Sequence, residues 1–205
     1  AWYGASKETF HIDEGYSAAL TNGNWLPGMD PAQRDTWTTG SAIFTECFTD
    51  TLSASGKPDF AAITDATAHD VHPPLYYWLF AVARVVFGVG RFAFAGYALN
   101  MILFAISCAL FVVIARRVWK DWLTVIFALS IFAFSSTAIS LTIFIRMYEL
   151  LQTLCLAFFA AALYVLFPPE GKIAKPAAIA AGCTGLFVFS YLGLMTQYYF
   201  LFFIV

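Results

Sequence analysis

The chain changes texture near its first third. Residues 1–72 mix Thr, Asp, Gly and Ser with scattered aromatics, and from residue 73 onward long apolar runs dominate. Apolar segments cover 74–90, 92–115, 121–144, 148–167 and 176–194, and a further run starts at Tyr198. Runs of about twenty apolar residues are the length a bilayer-crossing helix needs. The pattern therefore predicts an all-α polytopic membrane protein in three parts. These are an external loop region over 1–72, an interfacial helix over 73–91 and transmembrane helices over 92–205. Within the polar part, "TNGNWLPGMDP" (21–31) is a cluster of turn signals, and "GSAIFTECFTDTLSAS" (40–55) has the pattern of a short amphipathic helix lying on a surface.

Composition agrees with the pattern. The 205 residues are 60% hydrophobic and 12% charged, where a soluble domain carries roughly a quarter charged residues. A net charge of −2 offers no electrostatic footing for a nucleic-acid partner. Cys108, Cys155 and Cys183 fall inside apolar runs and only Cys47 is in polar surroundings, so no disulfide framework or paired-cysteine metal motif follows. The opening "AWYGASKETF" is not a signal peptide, and "YYFLFFIV" stops within an apolar run too short to span. The sequence reads as a piece of a longer chain, lacking a C-terminal part and an N-terminal anchoring helix.

Charge in the connections orients the chain. "ARRVWKD" (115–121) and "PPEGKIAK" (168–175) carry most of the basic residues of the apolar half, and Lys and Arg favour the cytoplasmic side. With both inside, 121–144 runs outward and 148–167 returns, placing "IRMYE" (145–149) outside. Segment 92–115 then starts outside. Segment 74–90 begins with Pro-Pro and contains Arg84 and Gly88. It suits an interfacial helix whose aromatic face, Tyr76, Tyr77 and Trp78, lies at headgroup level. The polar interruptions 69–72, 145–149 and 196–199 consequently share the outer face of a plasma membrane, extracellular or periplasmic.

Three of these stretches carry chemistry. In "HIDE" (11–14), adjacent Asp13 and Glu14 could serve as a general base with an electrostatic helper, and a solvated acidic turn is the plain alternative. In "HDVHPP" (69–74), an extended backbone puts Asp70 and His72 on one side, as it does His11 and Asp13. Two such pairs could hold a divalent metal through His11 and His72. Alternatively, Asp70 caps the helix that Pro73-Pro74 begins. In "FIRMYELL" (144–151), Arg146 with Tyr148 could bind a lipid-linked phosphate, or Arg146 could snorkel and pair with Glu149 or lipid. No nucleotide loop or nucleophile elbow is present.

Taken in order, "HIDEGYSAALTNG", "DVHPPLYYWL", "ALNMIL" and "FIRMYELLQTL" resemble bacterial membrane glycosyltransferases of the C-type superfold. Within that superfold the chain most resembles the protein O-mannosyltransferase-like enzymes and the lipid A aminoarabinose transferase. The resemblance covers roughly residues 10 to 167. It implies a sugar donor on a polyprenyl phosphate, inverting transfer to a glycan, lipid or protein acceptor at the outer membrane face, and surrounding membrane lipids. It also implies Asp13 as base with Glu14 beside it, Arg146 and Tyr148 near the donor phosphate, and Asp70, His72 and Tyr76 lining the cavity. Some relatives use a divalent cation and others none, which leaves that cofactor open. Many relatives carry His near Gln197, so this chain departs from the pattern at that cavity position. A non-catalytic membrane protein that senses a glycan or peptide through the external loop is the rival reading.

Overall fold

Helix α1, Ile12–Thr21, starts at a capping box. His11 Nδ1 accepts the Asp13 amide at 3.2 Å, and Glu14 Oε2 accepts the His11 amide at 2.9 Å. Two amides at the helix start thereby find acceptors, and the acidic first turn complements the helix dipole. The computed structural model describes residues 11–23, 57–88, 91–167 and 176–205, without the side chains of 176–178. The predicted amphipathic helix at 40–55, most of the 21–31 turn cluster and the 168–175 basic loop lie outside the described residues. Those described form helices and turns, with no strand among them. They divide into two units, Ala1–Met101 with Leu141–Met147, and Ile102–Ser140 with Tyr148–Val205.

In the first unit α1 packs against α2 (Phe60–Ala68) and α3 (Leu75–Phe87). The end of α1 approaches α2 so closely that Gly23 is required. Its φ is +75°, and a Cβ there would lie 2.6 Å from Ala62 Cβ. Helix α2 is capped by Asp59, whose carboxylate accepts the Ala62 amide at 2.9 Å. Helix α3 buries Tyr76, Tyr77, Phe80 and Arg84 and exposes Leu79, Val82, Val85 and Val86. The expected aromatic headgroup face is thus corrected: Tyr76 and Tyr77 form core, and the outward stripe is aliphatic. Arg84 also turns inward and donates to Asn22 Oδ1 at the end of α1. The unit takes in α4 (Phe92–Val118) through Met101, and the residues that close α6 (Ser136–Ile143).

The second unit holds the remainder of α4, α5 (Trp122–Ala133), α7 (Tyr148–Leu166), α8 (Pro176–Leu194), a 3-10 turn (Tyr198–Phe200) and α9 (Leu201–Ile204). Phe132 stacks between Phe104 and Phe111, with ring centroids at 6.4 and 4.7 Å. Ser107 and Thr153 share a hydrogen bond at 2.9 Å between α4 and α7, the sort of buried hydroxyl pair that joins membrane helices. At the α4 end, the Arg117 guanidinium lies 5.4 Å from the Tyr164 ring and Arg116 lies 4.3 Å from the Trp122 ring.

Helices α4 and α7 are long and apolar enough to cross a membrane. The 27 residues of α4 exceed the roughly 20 that a bilayer core demands. The expected single span over 121–144 is instead two helices, α5 and α6, meeting at 53°, which together make a third candidate span. Serine chemistry explains the bend. Ser135 Oγ donates to Phe132 O at 2.9 Å, ending α5, and accepts the Ala138 amide at 3.1 Å, starting α6. Among the described residues the fold is all-helical, with two or three elements long and apolar enough to span, consistent with a membrane protein.

Candidate active site

In the first unit Glu14, the Asp13 main chain and Asn100 converge on Phe144–Met147, the break that follows α6. A tight turn forms around Ile145, with the Arg146 amide donating to Phe144 O at 2.8 Å. The final carbonyls of a helix have no intrahelical partner, and here Asn100 of α4 supplies one. Its Nδ2 donates to Phe144 O at 2.8 Å, with Thr142 O and Leu141 O at 3.3 and 3.4 Å. Tyr76 completes the amide by donating to Asn100 Oδ1 at 3.5 Å. Burial raises the Tyr76 pKa well above 10, the Tyr77 and Glu14 charges add to that, and Arg146 opposes it. Tyr76 therefore stays a phenol and a donor.

The acidic motif closes the break from the other side. It is not extended, as the alternation argument required, but forms the first turn of α1. Asp13 and Glu14 consequently diverge. Glu14 is fully buried and its Oε1 accepts the Ile145 amide at 2.9 Å. Asp13 keeps a side chain 34% exposed. His11 Nδ1 approaches Asp13 Oδ2 to 3.4 Å, but that nitrogen accepts the Asp13 amide. A nitrogen using its lone pair in this way carries no proton for the carboxylate, so the contact is proximity rather than an ion pair. The Asp13 carboxylate is left accessible.

Arg146 is buried at 4% exposure and does not snorkel. Its Nη1 donates to the main-chain oxygen of Asp13 at 3.2 Å. Its Nε is shielded from solvent and meets no acceptor among the described residues. A guanidinium so enclosed has donor capacity in reserve.

Asp70 does not cap α3, whose first turn is led by Pro74 without a side-chain bond. Asp70 Oδ2 instead accepts from His72 Nδ1 at 2.7 Å. Burial works to raise the Asp70 pKa, yet the His72 hydrogen bond, the Val71 amide and the charges of His72 and Arg146 together hold it below 3.8. Asp70 thus lies within the field of Arg146. His11 and His72 both commit Nδ1 to neighbours, and no group of three or more His, Cys, Asp or Glu suited to a metal occurs among the described residues.

Tyr148 and Gln197 belong to the second unit. Tyr148 opens α7, and Gln197 is buried with its side-chain oxygen accepting the Tyr198 amide at 3.2 Å. Asn100 and Gly96 escaped sequence reasoning, although "ALNMIL" was a marked motif. A Cβ at Gly96 would collide with Ile145 Cγ2, so the missing side chain admits the break. A lone Asn inside an apolar helix was the available signal, since burying its amide demands partners. No protein-family model, curated protein or solved structure matches this chain.

Proposed function

We propose that the protein is an integral-membrane glycosyltransferase that moves a sugar from a polyprenyl phosphate to an acceptor hydroxyl at the outer membrane face. One observation carries this reading. Buried Arg146, whose Nε meets no acceptor among the described residues, donates to the main-chain oxygen of Asp13, the residue whose carboxylate stays accessible. A base and an anion-ready cation are the two groups that displacement of a phosphate requires. Asp13 takes the proton from the acceptor hydroxyl and the oxygen attacks the anomeric carbon from the face opposite the phosphate. The bond from that carbon to the phosphate oxygen breaks, and polyprenyl phosphate departs with the electron pair, its charge stabilised by Arg146. The sugar is inverted. A lining role for Asp70 and His72 rests on the resemblance, and the chemistry as written needs no divalent cation.

The C-type superfold, the interfacial placement of α3 and the outward orientation belong to the same proposal. They rest on the motif resemblance and on the basic loops. The roles of Tyr148 at the donor and Gln197 in the cavity rest on the resemblance. The full-length protein in lipid nanodiscs, given radiolabelled polyprenyl-phosphate sugars, tests the reading. Asp13→Asn is expected to reduce transfer by about 100-fold or more, the range of a lost general base, with expression unchanged. Retained transfer removes Asp13 from the role. Saturable glycan binding without turnover in the wild type favours the sensing protein instead.

A further inference from the structure

We propose that Glu14 is a positioning residue for Arg146 and not a second reacting carboxylate, an inference that rests on the roles of Asp13 and Arg146 given above. Both Glu14 oxygens are engaged by backbone amides. Oε2 accepts from His11 and Oε1 from Ile145, each at 2.9 Å. The side chain is buried, with each oxygen already holding a backbone amide. One rigid carboxylate group therefore joins the start of α1, which bears Asp13, to the residue preceding Arg146. The Arg146 Nη1 bond to Asp13 O closes the ring. Asn100 fixes the carbonyl side of the same turn, and Gly96 leaves the space for Ile145. The geometry makes the spacing between base and cation a property of Glu14 and Asn100, residues that need not touch substrate. A hydrogen bond to a charged acceptor is among the stronger kinds, which suits a joint between segments so distant in sequence.

The test uses the full-length protein in nanodiscs with Glu14→Ala, Glu14→Gln and Asn100→Ala. Glutamine keeps one carbonyl acceptor and removes the charge, so it discriminates between a positioning role and a reacting one. Hydrogen exchange at the Ile145 amide is expected to accelerate by about tenfold or more in Glu14→Ala, the loss of one charged hydrogen bond, and by less than about threefold in Glu14→Gln. Binding of sugar-free polyprenyl phosphate is read alongside binding of the uncharged polyprenol. Glu14→Ala and Asn100→Ala are expected to weaken the phosphate by about tenfold while leaving polyprenol unchanged, with Glu14→Gln substantially restoring it. An unaltered Ile145 exchange rate in Glu14→Ala overturns the proposal. So does a Glu14→Gln variant that binds polyprenyl phosphate normally yet transfers as poorly as Asp13→Asn. A wild type with no preference for the phosphate over polyprenol overturns Arg146 as the phosphate site, while the exchange rates still decide whether Glu14 holds the turn.

Discussion

The chain breaks its helices twice within a short stretch, and the two breaks are made differently. At Phe134–Ser135 one serine ends α5 and caps α6, using partners three residues away on either side. At Phe144–Met147 the backbone is held by Glu14, Asn100 and the absent side chain of Gly96, all remote in sequence. The first break needs only its own residues and bends a helix. The second has to be assembled from α1 and α4, and it encloses an arginine whose Nε meets no acceptor among the described residues. The second turn is thus one that local chemistry does not secure and that buried polar groups in an apolar setting maintain.

That comparison can be broken by substitution. Gly96→Val should have the largest effect, destabilising the protein by about 3 kcal/mol because a branched side chain meets Ile145 in a filled space. Thermal unfolding in detergent reads this as a clear fall in Tm. Asn100→Ala should follow at about 2 kcal/mol, since it leaves Phe144 O without its side-chain donor. Ser135→Ala, at the local break, should cost about 1 kcal/mol, the range of a lost N-cap. Equal losses at Asn100 and Ser135 would erase the distinction drawn between the breaks.

The smallest effect concerns pH. Asp70 has a pKa held below 3.8 in the fold. A depressed carboxylate contributes stability that is complete above its unfolded value and disappears as pH falls through the folded value. The Tm difference between wild type and Asp70→Asn should therefore shrink on acidification below about pH 4. A difference that grows toward acid would contradict the assigned shift.

Much of the class was legible and little of the site's wiring. Apolar runs identify α4 and α7 because burying backbone polar groups in lipid leaves few options besides a helix. "IRMYE" was visible as a polar interruption; that Ile145 and Arg146 bond to "HIDE" within the first unit was not. The form of the acidic motif was not visible. His11 is an unusual N-cap, and without that signal an alternating extended reading looked natural. The Tyr76–Tyr77 face was misplaced because interfacial aromatics are common in membrane proteins. The outcome turned on partners sequence does not show: Asn100 takes the Tyr76 hydroxyl, and burial then favours the rings over the valines. The Ser135 bend was hidden inside an uninterrupted apolar run, since a serine that bonds its own helix backbone barely alters hydropathy.

The most direct measurement is a structure of the full-length protein in nanodiscs with polyprenyl phosphate bound. The account predicts phosphate oxygen within about 3 Å of Arg146 Nε, with Asp13 facing the same cavity and Glu14 still bonded to the Ile145 amide. Phosphate bound elsewhere, or Arg146 Nε taken by a protein acceptor in the complete chain, would contradict it.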